Sequence, residues 1–296
     1  MFPWFQEALD RFDALHAAER LPHAMLVEGP EGWGVDALGD LLAVRLLDLE
    51  ARSSEQRLED VAHPDLRVIL PDGNVIKVDA IRALNDFAVG TPQRASAKVG
   101  VIHNAHCLNV QSANALLKSL EEPASDTYLL LITEYPWRLL PTIRSRCQRL
   151  TLAENSALAT QWLQHRPGGA VPDPRLGFEF RHAPLAVSAA QDAELEPLAP
   201  ALERALQSGD VGPLCRQLSA AAPEEVLIRW LRYLVAASAG LPEVPAVLSA
   251  IAPERVHAFA QELIDIHRAV LSSNSVNTGL QFERLAHRFR ALRDLV

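Results

Sequence analysis

His23-Ala-Met-Leu-Val-Glu-Gly-Pro-Glu-Gly-Trp-Gly-Val-Asp-Ala-Leu38 is the stretch whose reading decides the fold. A short apolar run ends at Gly29, two further glycines follow at 32 and 34, and a helical pattern starts at Val35 with Leu38, Leu41, Leu42 and Leu46 on one face. Strand, glycine turn and helix in that order open an α/β unit. The spacing from Gly29 to Gly34 is that of a phosphate-binding loop, G-x-x-x-x-G-K-[ST], in which glycines let backbone N–H groups wrap the phosphates. The lysine of that motif reaches the β and γ oxygens and the hydroxyl holds Mg²⁺. Here Val35 stands in the lysine position and Asp36 in the hydroxyl position. Valine brings no charge, and a carboxylate at the helix start repels a polyphosphate while still complementing the helix dipole. A plain glycine turn is the competing reading; the flanking strand and helix favour a former nucleotide site.

Outward from this loop, an amphipathic helix runs from Pro3 to about Ala18, and short apolar runs at Asp65–Leu70, Lys98–His103 and Tyr128–Thr133 suit buried strands. Helical segments at Asp79–Val89 and Val110–Leu120 separate them. The alternation predicts a mostly parallel sheet covered by helices on both faces, over residues 1–152. Residues 153–200, with Arg-Pro-Gly-Gly-Ala-Val-Pro-Asp-Pro174 and prolines 184, 197 and 200, read as a small, partly helical, lid-like module or linker. From Ala201 to Val296 the pattern is helical: Leu202/Leu206, Glu225–Ala237, Pro253–Leu271 and Leu280–Leu295 carry apolar stripes that suit an all-α bundle. Trp230, Leu231, Leu234 and Val235 recur at helical spacing and read as a packed face.

The chain has 296 residues, of which 49% are hydrophobic and 22% charged, so each segment can bury a core. Lys+Arg 28 against Asp+Glu 37 leaves a net charge of −9, which weighs against a free-standing DNA-binding protein, because phosphate contacts dominate such affinity. Arg94 and Lys98 are DNA-contact candidates on charge alone, within an assembly. Three widely spaced cysteines argue against a disulfide framework. The N-terminal stretch has no secretory pattern and no window is apolar enough to cross a bilayer, so a soluble cytoplasmic protein without membrane contact is expected.

In nucleotide hydrolases with such a loop, a later strand ends in acidic residues that hold Mg²⁺ and polarise water. Here Val99-Gly-Val-Ile102 is followed by His103-Asn104-Ala105-His106, without a carboxylate. Lysine, hydroxyl and acids are missing together, which predicts that the chain neither binds nor hydrolyses ATP and carries no cofactor.

The segment His103-Asn-Ala-His-Cys-Leu-Asn-Val-Gln-Ser-Ala-Asn-Ala-Leu-Leu-Lys-Ser-Leu-Glu-Glu-Pro123 resembles the clamp-loader branch of the AAA+ ATPases. Thr133-Glu-Tyr-Pro-Trp-Arg-Leu-Leu-Pro-Thr-Ile-Arg-Ser-Arg-Cys147 is similar to that family's sensor strand followed by its Ser-Arg-Cys motif, and His63-Pro64-Asp65 fits its bacterial members. The match is close over about residues 1–152, weak in the middle and moderate in the C-terminal helices. The resemblance implies a member that keeps the AAA+ fold without binding ATP: a stator in a hetero-pentameric ring, holding motor ATPase subunits and a clamp-opening subunit, with primer-template DNA a candidate contact inside the ring. It also implies that Arg146 completes a neighbour's ATP site, with Ser145 and Cys147 shaping the turn that aims it. An arginine offered across an interface neutralises charge developing on a transferred phosphoryl group. Pro136–Arg149 carries Arg138, Arg144, Arg146 and Arg149 and no acidic residue, a local positive patch. An active ATPase with an atypical site, which position 35 argues against, and the stand-alone DNA-binding protein are the alternatives.

Two departures stand out. The segment Leu47–Ala62, where many bacterial relatives insert a four-cysteine zinc module, has neither cysteine nor histidine, so no metal is expected there. Gly177-Phe-Glu-Phe-Arg-His-Ala-Pro184 replaces the family's glycine-serine-proline turn. His103, His106 and Cys107 lack a fourth ligand nearby and read as structural rather than metal-binding. Glu121-Glu122 before Pro123 reads as a helix end, and Cys147 has no motif-level base to make it a nucleophile.

Overall fold

The computed structural model describes residues 1–49, 57–166, 171, 173–220, 223–242, 244–272 and 278–293. The expectation of no metal over Leu47–Ala62 therefore falls in part, at 50–56, outside the described residues, as does part of the Pro/Gly-rich stretch at 167–170 and 172. Two compact units are present: Met1–Arg166 with Ala183–Leu185, and Pro167–His182 with Ala186–Val296.

The first unit is built on five parallel strands, β1 (Ala24–Glu28), β2 (Leu66–Ile69), β3 (Lys98–Ile102), β4 (Thr127–Thr133) and β5 (Gln148–Thr151), in the order β2-β3-β4-β1-β5. Helices α1 (Gln6–Ala17), α2 (Val35–Leu46), α3 (Val78–Val89), α4 (Val110–Glu121), α5 (Pro141–Arg144) and α6 (Ser156–His165) belong to it. Strands β1 and β3 are buried at every position and β4 at all but one, as expected where helices cover both faces of a parallel sheet. At the edge, β5 buries Leu150 alone, so Gln148-Arg-Leu-Thr151 lacks the apolar run that marks the inner strands, and sequence reasoning passed over it.

Close packing fixes α2 on the sheet. A Cβ on Gly39 would lie 2.1 Å from Ile132 Cδ1, so the helix approaches β4 nearer than any side chain permits. In register, Glu28 pairs with both Thr133 and Thr151, and Ile102 pairs with Leu131. The carboxyl ends of β1, β3 and β4 thus share one edge of the sheet, the position where open α/β folds place their ligands.

His63-Pro64-Asp65 acquires a structural role. The buried Asp65 carboxylate accepts N–H bonds from Gln93 (2.7 Å), Arg94 (2.7 Å) and Ala95 (2.9 Å). Burial pushes its pKa up, but these three donors prevail and hold the carboxyl below its usual range. Arg94 stands exposed on the loop so anchored. Lys98 does not fit its role as a DNA-contact candidate: it is buried, its Nζ donating to the Phe87 carbonyl at 2.7 Å and lying 4.5 Å from the Phe87 ring centroid.

Residues 153–200, expected as a module of their own, are divided between the two units. The Trp162 ring of α6 packs edgewise on Phe2 and Trp4, at 5.4 and 5.5 Å, within the first unit. In the second unit, α7 (Pro174–Glu179) ends on a fully buried carboxylate. Glu179 accepts from Arg229 Nε (2.7 Å) and Nη2, from the Tyr233 hydroxyl (2.9 Å) and from Leu198 N–H (2.6 Å). In place of the glycine-serine-proline turn, Arg181 and His182 take φ of 54° and 56°, a left-handed pair that L side chains rarely adopt.

The rest of this unit comprises α8 (Pro184–Asp192, from Ala186 on), α9 (Ala199–Gln207), α10 (Gly212–Ala220), α11 (Pro223–Ser238), α12 (Ala246–Ser249), α13 (Pro253–Ser272) and α14 (Thr278–Ala291). Its core gathers Leu202, Leu206, Leu227 and Leu263 around a Trp230–Phe259–Phe289 cluster with ring separations of 5.1–5.5 Å. The face expected on α11 splits: Trp230 and Leu234 are fully buried, whereas Val235 is 56% exposed.

Removing one partner of a buried ion pair leaves the other charged and desolvated. Glu179→Ala is therefore expected to lower the unfolding free energy in urea by about 3–5 kcal/mol. The double replacement Glu179→Leu with Arg229→Met should lower it by less than half as much. A single-variant loss under about 1 kcal/mol would show that the Glu179 hub does not hold the helical unit together.

Candidate functional site

The glycine loop leaves β1 at Glu28 and enters α2 at Val35. Gly32 (φ +73°) and Gly34 (φ +84°) lie in the left-handed region, and Gly34 is the N-cap of α2. The backbone therefore makes the turn that the motif spacing predicts. What differs is what surrounds it.

The space beside Gly34 is filled. A Cβ there would lie 3.0 Å from Leu185 Cδ1, 3.4 Å from Phe5 Cζ and 3.5 Å from Phe2 Cε2. Leu185 N–H donates to the Gly32 carbonyl at 3.1 Å. Trp33 is buried, its carbonyl accepting from Trp4 Nε1 at 2.9 Å and its ring packing edgewise on Trp4. Val35 is fully buried in the core, so the lysine position sends nothing into the loop.

One loop donor is already engaged. Gly32 N–H donates to Glu134 Oε1 at 3.1 Å, placing a carboxylate from the residue after β4 on an amide that a phosphate loop offers to phosphate. Burial raises the Glu134 pKa, the Gly32 bond opposes the rise, and the neighbouring Asp36 and Glu31 add to it.

The charges of the hydrolytic pattern are also exchanged between helix and strand. Asp36 and Asp40 sit one turn apart on α2, a like-charge i,i+4 pair that destabilises a helix by itself. His103, directly after β3, lies between them, with Nδ1 3.0 Å from Asp36 Oδ1 and Nε2 2.9 Å from Asp40 Oδ1. Nδ1 is hydrogen-bonded to Asp36, whereas Asp40 Oδ1, close as it is to Nε2, has no hydrogen-bond partner among the described residues and acts on the ring as a charge. Burial lowers the pKa of the ring, but the two carboxylates outweigh it and raise His103 from 6.5 to about 9. A histidine flanked by two carboxylates thus stands where the hydrolytic pattern has acids, and Asp36 stands where it has a hydroxyl.

His106 turns elsewhere. Its Nδ1 lies 3.0 Å from the Thr133 hydroxyl, which also accepts from Tyr135 N–H at 3.0 Å, and burial with the nearby Arg138 lowers its pKa. His103, His106 and Cys107 do not converge, and among the described residues no group of three or more His, Cys, Asp or Glu side chains is arranged to hold a metal ion.

At the opposite, amino-terminal edge of the sheet, where β5 begins beside the start of β1, Ile143 and Cys147 are buried in the core and anchor the segment between them. Ser145 Oγ donates to the Thr142 carbonyl at 3.1 Å, and Arg146 N–H to the Ile143 carbonyl at 3.0 Å. Burial pushes the Cys147 thiol up to about 12, which keeps it protonated and unreactive.

The patch that looks uniformly basic in sequence is partly neutralised by acids from distant segments. Arg146 Nη2 lies 2.5 Å from Glu121 Oε1 while its Nη1 donates to the Thr142 carbonyl at 3.0 Å. Arg149 Nε donates to the buried Glu28 at 2.8 Å, and the Thr151 hydroxyl joins at 3.0 Å. Arg138 lies 5.9 Å from the Tyr135 ring centroid, and Arg144 is exposed without an ion pair among the described residues. Sequence reasoning gave Glu28, Asp40 and Glu134 no role and read Glu121 only as part of a helix end, which it is; the i,i+4 spacing of Asp36 and Asp40 was the one local sign available.

A family model described as DNA polymerase III, delta subunit, matches residues 4–156. The DNA polymerase III subunit delta' of Pseudomonas aeruginosa is 40% identical over 184 residues, 58% of this chain and 54% of the relative. That of Escherichia coli is 29% identical over 309 residues, 94% of this chain and 92% of the relative. In the matches of 40% identity or more, the chain spans about half of the relative's length. A DNA polymerase III gamma subunit-related protein from Thermotoga maritima superposes with a TM-score of 0.52 at 18% identity, over 96% of this chain and all of the other, which establishes likeness of fold. Among the described residues, no helix is long and apolar enough to cross a membrane.

The His103 bridge makes stability depend on pH in a defined direction. Its folded pKa of about 9 lies above the unfolded value of 6.5, so its contribution is complete below pH 6.5 and is lost as pH rises through 9. In urea unfolding, the stability difference between the native chain and His103→Gln should be largest near pH 6. It should shrink by up to about 3 kcal/mol by pH 10. A difference independent of pH would mean that the imidazole is not held as a cation.

Proposed function

The chain belongs to the DNA polymerase III delta-subunit family, and from that premise we propose that it is the delta'-type stator of a clamp loader. In this reading it binds no ATP, assembles with motor ATPase subunits and a clamp-opening subunit into a hetero-pentameric ring, and helps place the sliding clamp on primed DNA in the cytoplasm. The observation that carries the reading is the placement of the His103 ring between the Asp36 and Asp40 carboxylates. With Glu134 on the Gly32 amide, it faces an approaching polyphosphate with carboxylates instead of a lysine and a metal.

The chain's own chemical part is an arginine supplied to a neighbour. Arg146 sits in a turn held at both ends by the buried Ile143 and Cys147, and Ser145 closes that turn on Thr142. A guanidinium fixed in this way reaches a neighbouring γ-phosphate with little reorganisation. The role stays useful to the ring although the chain's own loop does no chemistry. A stand-alone DNA-binding reading loses support, since Lys98 is buried and Arg149 is paired with Glu28. Arg94, exposed on its anchored loop, remains a candidate for touching a DNA phosphate within the ring.

Reconstitution with motor and clamp-opening subunits tests the proposal. Arg146→Ala should assemble normally by native mass measurement while slowing ATP hydrolysis at the neighbouring site by about 10²-fold or more. Unchanged hydrolysis in the fully assembled variant complex would overturn the arginine-donating role.

A further inference from the structure

We propose that Glu121 is the positioning residue that aims the Arg146 guanidinium, an inference resting on the arginine-donating reading above. The turn carrying Arg146 is fixed, because Ile143 and Cys147 are both buried in the sheet core. The freedom left to this arginine is in its long stem, and two contacts restrict it. Nη1 donates to the Thr142 carbonyl at 3.0 Å, at the start of the same turn, and Nη2 meets Glu121 Oε1 at 2.5 Å, from the last residue of α4. One arm is held by the arginine's own segment and the other by a separate helix.

Nothing local explains Glu121. A carboxylate in the last turn of a helix faces the negative end of the dipole, where a cation is favoured. The adjacent Glu122 is exposed and its carboxylate pairs with nothing among the described residues, so the two acids before Pro123 are not equivalent. Arg144, on the same segment as Arg146, has no such partner. Of the exposed arginines 144 and 146, the one in the Ser-Arg-Cys motif is the one held.

The clasp does not exhaust the arginine. A guanidinium carries five donors in a planar fork, and two contacts leave donors available to a phosphate oxygen. The side chain is 35% exposed, so its fork is within reach of a neighbouring molecule. An arginine oriented before the neighbour binds avoids the loss of conformational freedom at the moment of reaction.

The test uses the assembled complex and steady-state phosphate release from ATP over a range of ATP concentrations, with assembly of every variant checked by native mass measurement. Glu121→Ala should lower kcat about three- to tenfold at an unchanged KM. Glu121→Gln, which keeps the size of the side chain and removes the charge of the ion pair, should give a rate between those of Glu121→Ala and the native chain. The double variant Glu121→Ala with Arg146→Ala should be no slower than Arg146→Ala alone, because Glu121 acts through the arginine. Glu121→Ala leaving hydrolysis unchanged or faster would overturn the proposal, the faster rate marking Glu121 as a restraint that must be released. So would an additional loss in the double variant, or failure of both Glu121 variants to assemble, since each assigns Glu121 to the fold. If Arg146→Ala alone leaves the rate unchanged, the arginine-donating reading has failed and this inference falls with it, a result told apart by that one variant.

Discussion

The His103 ring, set between the Asp36 and Asp40 carboxylates, joins α2 to the carboxyl edge of the sheet. Asp36 and Asp40 repel each other along α2, and His103 enters from the end of β3 to join them. The three groups come from a helix and the end of a strand that meet only when the sheet is formed, so the bridge ties α2 to the end of β3. A phosphate loop in its working form needs a ligand to satisfy its amides and a cation to balance its acids. This chain supplies both from within, through Glu134 on the Gly32 amide and His103 between the aspartates. The fold therefore stands closed upon its own side chains.

The Ser-Arg-Cys segment lies at the opposite, amino-terminal edge of the sheet, where β5 begins. The segment after β4 is anchored by Ile143 and Cys147, and each arginine between Pro136 and Arg149 has a distinct environment. Arg149 is held by the buried Glu28, Arg138 lies beside Tyr135, Arg146 meets Glu121 and Arg144 stands free of ion pairs among the described residues. A partly exposed ion pair such as Arg146–Glu121 contributes about 0–1 kcal/mol to stability, so its importance lies in orientation. Cys147 illustrates the division of labour: its thiol is pushed up to about 12 by burial and serves as an apolar anchor rather than a nucleophile.

Much of this was legible along the chain. The inner strands announce themselves because burial on both faces requires continuous apolar runs, as in Tyr128-Leu-Leu-Leu-Ile-Thr133. The glycine spacing gave the turn, with Gly32 and Gly34 both at positive φ. Strand β5 was not legible, because an edge strand buries one residue in four and Gln148-Arg-Leu-Thr151 has no apolar run to offer. The partners of the charged groups were hidden for a different reason. Glu121 and Arg146, Glu28 and Arg149, or Asp36 and His103 are brought together by sheet order rather than by sequence spacing, so a stretch that looks basic by itself is partly balanced by acids from elsewhere. The division of residues 153–200 has the same origin: Trp162 is claimed by the aromatic cluster at the N-terminus and Glu179 by Arg229 and Tyr233.

The central claim, that the glycine loop is filled by the chain's own groups and takes no nucleotide, is tested most directly by calorimetric titration of the purified protein with Mg²⁺–ATP at pH 7. The account predicts no saturable heat at nucleotide concentrations up to about 1 mM, an affinity weaker than about −4 kcal/mol. Saturable one-to-one binding in the micromolar range, abolished by chelating Mg²⁺, would contradict it.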